Sequence, residues 1–154
     1  MIGQPPVWAT AEEVAEKLHT YVVNHMNLSN AGHVTDAKIG YILSDEPRIV
    51  AYPTVGVVDK SRLSHLPDVD NIPFAPDFAI EVISPDNPAD VVQAKIRQYL
   101  NAGVRQIWVA HLKSRSIAVY SPDIVFTVPF DGTLFGEDML PGFKLTMRDL
   151  YSRG

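Results

Sequence analysis

The stretch that decides the fold is "PDFAIEVISPDNPADVVQAKIRQYL", residues 76–100. Phe78 to Ser84 is a short apolar run rich in β-branched and aromatic residues, and reads as a buried strand. Glu81 interrupts it. Side chains alternate along a strand, so Asp77, Ala79, Glu81 and Ile83 share one face and Phe78, Ile80, Val82 and Ser84 the other. An ionised Glu in such a run is costly unless it is paired, hydrogen-bonded or bound to a cation.

The next segment reads as a helix. Asn87 is placed as its N-cap, Pro88 at the first helical position and Asp90 at the third. It runs to about Leu100 and stops at "NAG", where Gly103 takes a left-handed backbone. Val91, Val92, Lys95, Tyr99 and Ala102 fall on one stripe at spacings of three and four. If that stripe packs on the sheet, Lys95 is carried back toward the preceding strand, and Asp77, Glu81 and Lys95 converge. Two carboxylates can hold a hard cation such as Mg²⁺, and a lysine beside them can orient or deprotonate a water and stabilise charge on a phosphate. A structural Glu81–Lys95 salt bridge, with Asp77 capping the loop before the strand, accounts for the same residues. The pattern alone does not separate the two readings.

Working outward, Thr10 and Glu13 form a capping box for a first helix through "AEEVAEKLHTYVVNHM". Residues 33–43 and 48–58 read as two strands joined by the turn "SDEP", with Pro53 marking an edge or a bulge. A long loop follows over 59–75. Beyond the second helix, "QIWVA" and "SIAVY" pair across the turn "HLKSR", and the remainder reads as one or two strands, a loop and a closing helical turn. The expected architecture is one domain, residues 1–154, of mixed α/β (α+β) class: a central mixed sheet flanked by helices, in the order αβββαβ with extra C-terminal strands.

Composition narrows the function. The chain has 154 residues, 46% hydrophobic and 20% charged, which is ordinary for one globular domain. The absence of cysteine excludes disulfides and thiolate zinc sites. With no signal-like start and no apolar run of membrane-spanning length, a cytoplasmic protein without membrane contact is expected. The formal net charge of -5, with Lys and Arg dispersed, argues against broad nonspecific nucleic-acid binding but leaves room for a local basic rim. The five histidines show no metal-binding spacing, and neither a GxSxG elbow nor a phosphate-binding glycine loop is present.

"APDFAIEVISP", "KIRQYLNAGVRQIWVA", "SIAVYSPD" and "LPGFKL" resemble, in order, motifs of the Uma-type restriction endonuclease family within the PD-(D/E)XK nuclease superfamily. The likeness runs from about Gly32 to Tyr151. It implies a restriction-endonuclease-like fold and Mg²⁺- or Mn²⁺-dependent hydrolysis of phosphodiesters in DNA by a homodimer. By the same resemblance Asp77 and Glu81 are metal ligands, and Lys95 joins them as a catalytic group. The lysine usual two residues after the strand Glu has moved to the helix, and position 83 is Ile. Two positions depart from the family pattern: Thr54 in "AYPTVGVV" stands where a ligand Asp belongs, and Lys38 in "DAKIGYIL" where a Glu is usual. A hydroxyl is a poor Mg²⁺ ligand and a lysine competes with the metal. The alternative expectation is therefore a catalytically inactive nuclease-like binding or regulatory module. The apolar segment "DIVFTVPF" is the candidate dimer interface.

Overall fold

The computed structural model describes residues 7–65 and 71–153. The chain begins with α1 (Ala11–Ser29), β1 (Gly32–Asp36), β2 (Gly40–Asp45), β3 (Arg48–Ala51) and β4 (Val55–Asp59). A 3₁₀ turn (Lys60–His65), β5 (Asn71–Ile72), β6 (Phe78–Ile83) and α2 (Ala89–Asn101) follow. The chain ends with β7 (Gln106–His111), β8 (Ser116–Tyr120), β9 (Val125–Val128), β10 (Thr133–Phe135), β11 (Lys144–Thr146) and α3 (Met147–Tyr151). Among the described residues the main sheet has six strands in the order β1-β4-β6-β7-β8-β9. β6 and β7 are parallel and every other neighbouring pair is antiparallel.

Helices cover both faces of this sheet. On one face α1, through Val14, Leu18, Val22 and Met26, joins α3 over Phe78, Ile80, Trp108, Ile117 and Val119. On the other, Ile96 and Tyr99 of α2 pack over Ala79, Ile107, Val109 and Ala118. Alternation along β6 is thus as expected, with Phe78 and Ile80 toward α1, and Ala79 and Glu81 toward α2. Trp108 is fully buried, stands edge-on to Phe78 with ring centroids 4.7 Å apart, and donates its indole N–H to Gln106 Oε1 at 2.8 Å.

The capping box at α1 forms as read: Thr10 Oγ1 accepts from the Glu13 N–H, and Glu13 Oε1 accepts from the Thr10 N–H. Gly103 closes α2 with φ 96°, a conformation that a Cβ would strain.

Three expectations need correction. The two long strands are one bent hairpin broken into four pieces, because β1 pairs with β4 in the main sheet while β2 pairs with β3 in a smaller one. Pro53 has no N–H to give a ladder, and the break between Ala51 and Val55 falls around it. Asn87 is not the cap of α2: its side-chain oxygen accepts from the Ser84 N–H at 2.8 Å, folding the connection back, and Pro88 occupies the cap position. The C-terminal segment holds three strands rather than one or two. Part of the long loop, residues 66–70, lies outside the described residues; the rest carries the 3₁₀ turn and β5.

Chemical denaturation should separate the two kinds of contact described above. Thr10→Ala is expected to cost about 1 kcal/mol by removing one cap. Trp108→Ala is expected to cost about 3–5 kcal/mol by emptying the fully buried centre of the sheet.

Candidate active site

Glu81 sits on the α2 side of β6 with only 10% of its side chain exposed. Two α2 residues one helical turn apart reach its two oxygens. Lys95 Nζ lies 3.1 Å from Oε1, and the Tyr99 hydroxyl donates to Oε2 at 2.5 Å. The spacing of four residues places both donors on the same helix face, directed at the sheet. Burial, reinforced by the Glu81 charge, pushes the Tyr99 phenol far above its ordinary range, so Tyr99 stays a hydrogen-bond donor at any working pH. Lys95 differs: 42% of its side chain is exposed, and the residue lines a cleft of about 150 Å³. Glu81, Ile83, Asn87, Val92 and Val109 also line that cleft.

Asp77 occupies a different setting. It precedes β6 on the same alternation face, but its Oδ1 forms a 2.9 Å ion pair with Arg62 and its Oδ2 accepts from the Asp59 N–H at 2.7 Å. Arg62 is itself fixed, donating to the Ala75 carbonyl at 3.0 Å and stacking 4.1 Å from the Phe74 ring centroid. The Asp77 carboxylate therefore ties the 3₁₀ turn to the start of β6 and does not line the Glu81 cleft.

Thr54 and Lys38 occupy the bend of the hairpin. Val55 pairs with Ile80, so one further step of that register sets Thr54 beside Glu81. Position 54 is thus the place from which a neighbouring strand could give Glu81 a second acid, and it carries a hydroxyl. Lys38 lies in the exposed turn between β1 and β2, where its backbone N–H donates to Asp36 Oδ1 at 2.9 Å.

These residues do not fit a divalent cation. Mg²⁺ and Mn²⁺ need several oxygen donors from one side. Among the described residues no three His, Cys, Asp or Glu converge. Both Glu81 oxygens already accept from donors on α2, and both Asp77 oxygens from Arg62 and Asp59.

The chain matches, over residues 1–148, the family model Uma2, described as "Putative restriction endonuclease". The chain belongs to the Uma2 family. Among solved structures it resembles a protein from Anabaena variabilis described as a "putative nuclease belonging to DUF820", with a TM-score of 0.79 at 17% identity. That alignment covers 97% of this chain and 84% of the other, and at this identity it shows a shared fold. No curated protein matches the chain. The Uma2 assignment and the nuclease-like mixed α/β fold agree with the resemblance read from the motifs. No helix among the described residues is long and apolar enough to cross a membrane.

The sequence placed Tyr99 on the same stripe as Lys95 but did not identify it as a partner of Glu81. The signal was the four-residue spacing to Lys95. Arg62 was missed as the partner of Asp77, since no local pattern links residues 15 positions apart through a loop.

The two Glu81 contacts should differ in strength. Tyr99→Phe leaves a buried carboxylate oxygen without its donor and is expected to cost about 1.5–3 kcal/mol. Lys95→Met, which keeps the apolar stem and removes a half-exposed charge, is expected to cost less than about 1 kcal/mol. Denaturation of both variants checks the order, and a double-mutant cycle with Glu81→Gln should place the larger coupling on Tyr99.

Proposed function

We propose that this chain, acting as one restriction-endonuclease-like domain, is a DNA-directed module whose hydrolytic centre is degenerate. One observation carries this reading: the Glu81 carboxylate is satisfied by Lys95 and Tyr99, while Thr54 and the engaged Asp77 bring it no second free acid. Family membership and fold support DNA as the class of partner. Lys95, with a half-exposed side chain, offers an ammonium contact for a backbone phosphate. In this reading Glu81 and Tyr99 hold Lys95 in place, and Lys38 and Thr54 mark the lost acids.

A second reading is favoured by the ion pair of Glu81 and Lys95, which both line one cleft. It is an endonuclease that cleaves DNA phosphodiesters with Mg²⁺ or Mn²⁺, with Glu81, Lys95 and Asp77 as its catalytic set and the two acids as metal ligands, which requires Asp77 to leave Arg62 and the Asp59 N–H and Glu81 to exchange its α2 donors for the ion.

Gel-shift and plasmid-nicking assays with and without Mn²⁺ separate the readings. The degenerate module binds DNA and nicks supercoiled plasmid no faster than its Glu81→Ala variant. Metal-dependent nicking that disappears in both Glu81→Ala and Lys95→Ala supports the enzyme instead. A wild-type chain that shifts no DNA contradicts the proposed partner.

We further propose a homodimer formed along β9. This strand ends the main sheet, and Ile124, Val125 and Phe126 are exposed beside its open edge. Light scattering should give twice the monomer mass for the wild type and the monomer mass for Phe126→Glu. A monomeric wild type at high concentration removes this interface.

A further inference from the structure

A cavity of about 520 Å³ adjoins the Glu81 cleft. It lies beyond the carboxyl ends of β6 and β7, against the first turns of α2. These strands are the parallel pair of the main sheet, and in open α/β sheets ligands gather outside the carboxyl ends of parallel strands. Ile83, Asn87 and Val92 line both this cavity and the smaller one over Lys95. The two cavities adjoin along this shared wall as a larger and a smaller compartment.

The larger compartment has aliphatic walls and polar edges. Ile83 and Leu112 come from the strand ends and Val92 from α2, while Gln93 and His111 face the same space. The Gln93 amide nitrogen donates to the Tyr120 hydroxyl at 3.3 Å, which leaves its carbonyl oxygen as an acceptor. Burial pushes His111 below the ordinary imidazole value, so near neutral pH it offers one N–H donor and one bare nitrogen acceptor. Apolar walls with a few placed polar groups, in this size range, suit a flat heteroaromatic ring with a hydrogen-bonding edge.

Two cations bear on where an attached anion goes: Lys113, exposed at the rim of the larger compartment, and Lys95, held in place by Glu81 over the smaller one. Asp90 lies in the first turn of α2 and disfavours a phosphate at the helix start. Lys95, about one and a half turns further along, is the cation of the smaller compartment. We propose that the cleft binds a nucleotide unit, its base in the larger compartment and its phosphate at Lys95. The unit is either a free nucleotide or a residue swung out of a strand; only the second case rests on the DNA reading given above.

Calorimetric titration of the full chain tests this with three probes: deoxyadenosine monophosphate, a deoxyadenosine decamer and deoxyribose 5-phosphate, which lacks the base. The wild type should bind both base-bearing probes at least about tenfold more tightly than the sugar phosphate. Val92→Trp, on the wall shared by both compartments, should weaken the two base-bearing probes at least about tenfold and the sugar phosphate less. Gln93→Ala, at an exposed position where folding is not at stake, should weaken the same two probes, whereas Lys95→Met should weaken all three. Equal wild-type affinity for all three probes overturns the proposal, as does unaltered nucleotide binding in a folded Val92→Trp chain. Mononucleotide binding without any shift of duplex DNA supports the pocket and removes the DNA reading. A duplex shift indifferent to Val92→Trp and Gln93→Ala removes the pocket and leaves the DNA reading standing.

Discussion

A carboxylate on the inner face of a central strand is the constraint around which this structure is arranged. Glu81 has apolar neighbours on its own strand and beside it, and a charge so placed needs donors within reach. Lys95 and Tyr99 supply them from a single turn of α2. Meeting both at once fixes the rotation of α2 about its axis and its position along β6. With α2 held there, the crossover returns the chain as β7 parallel to β6, and Ile96 and Tyr99 close the second core layer. The cleft over Lys95 and the larger cavity beyond it are the space left between this helix and the strand ends.

The same arrangement bears on chemistry. A carboxylate that accepts from an ammonium and a phenol is poorly prepared to receive a cation. Removing either donor exposes its demand for another. The hairpin register bears on why no second acid relieves this: β4 pairs with β6 as far as Val55 opposite Ile80, and the next residue of the hairpin is Thr54. Asp77, the other acid on this face of the strand, is engaged in holding the 3₁₀ turn through Arg62. What remains along the cleft among the described residues is a half-exposed lysine beside a satisfied carboxylate, a setting suited to contact with an anion.

Much of this was legible in the sequence because the relevant physics is local. The capping box at Thr10 and Glu13, the alternation through Phe78–Ile83, the left-handed Gly103 and the stripe joining Lys95 to Tyr99 each depend on residues a few positions apart. The parts not legible depend on partners that only folding brings together. Arg62 meets Asp77 across a loop, and the hairpin divides between two sheets at a bend that includes Pro53 on one limb and residues 37–39 on the other. Asn87 shows a local rule yielding to a local competitor: its side chain satisfies the Ser84 N–H, and the helix starts one residue later. The motif resemblance reached the family correctly because it rests on several ordered segments rather than on any one contact.

The claim at the centre of this account is that Glu81 is committed to Lys95 and Tyr99 rather than to a metal. It can be read directly from the carbon resonance of the Glu81 side-chain carboxyl during titration with Mg²⁺. The wild-type signal is expected not to move over millimolar Mg²⁺. A saturable shift of that resonance in the wild-type chain, abolished by Asp77→Asn, would contradict it.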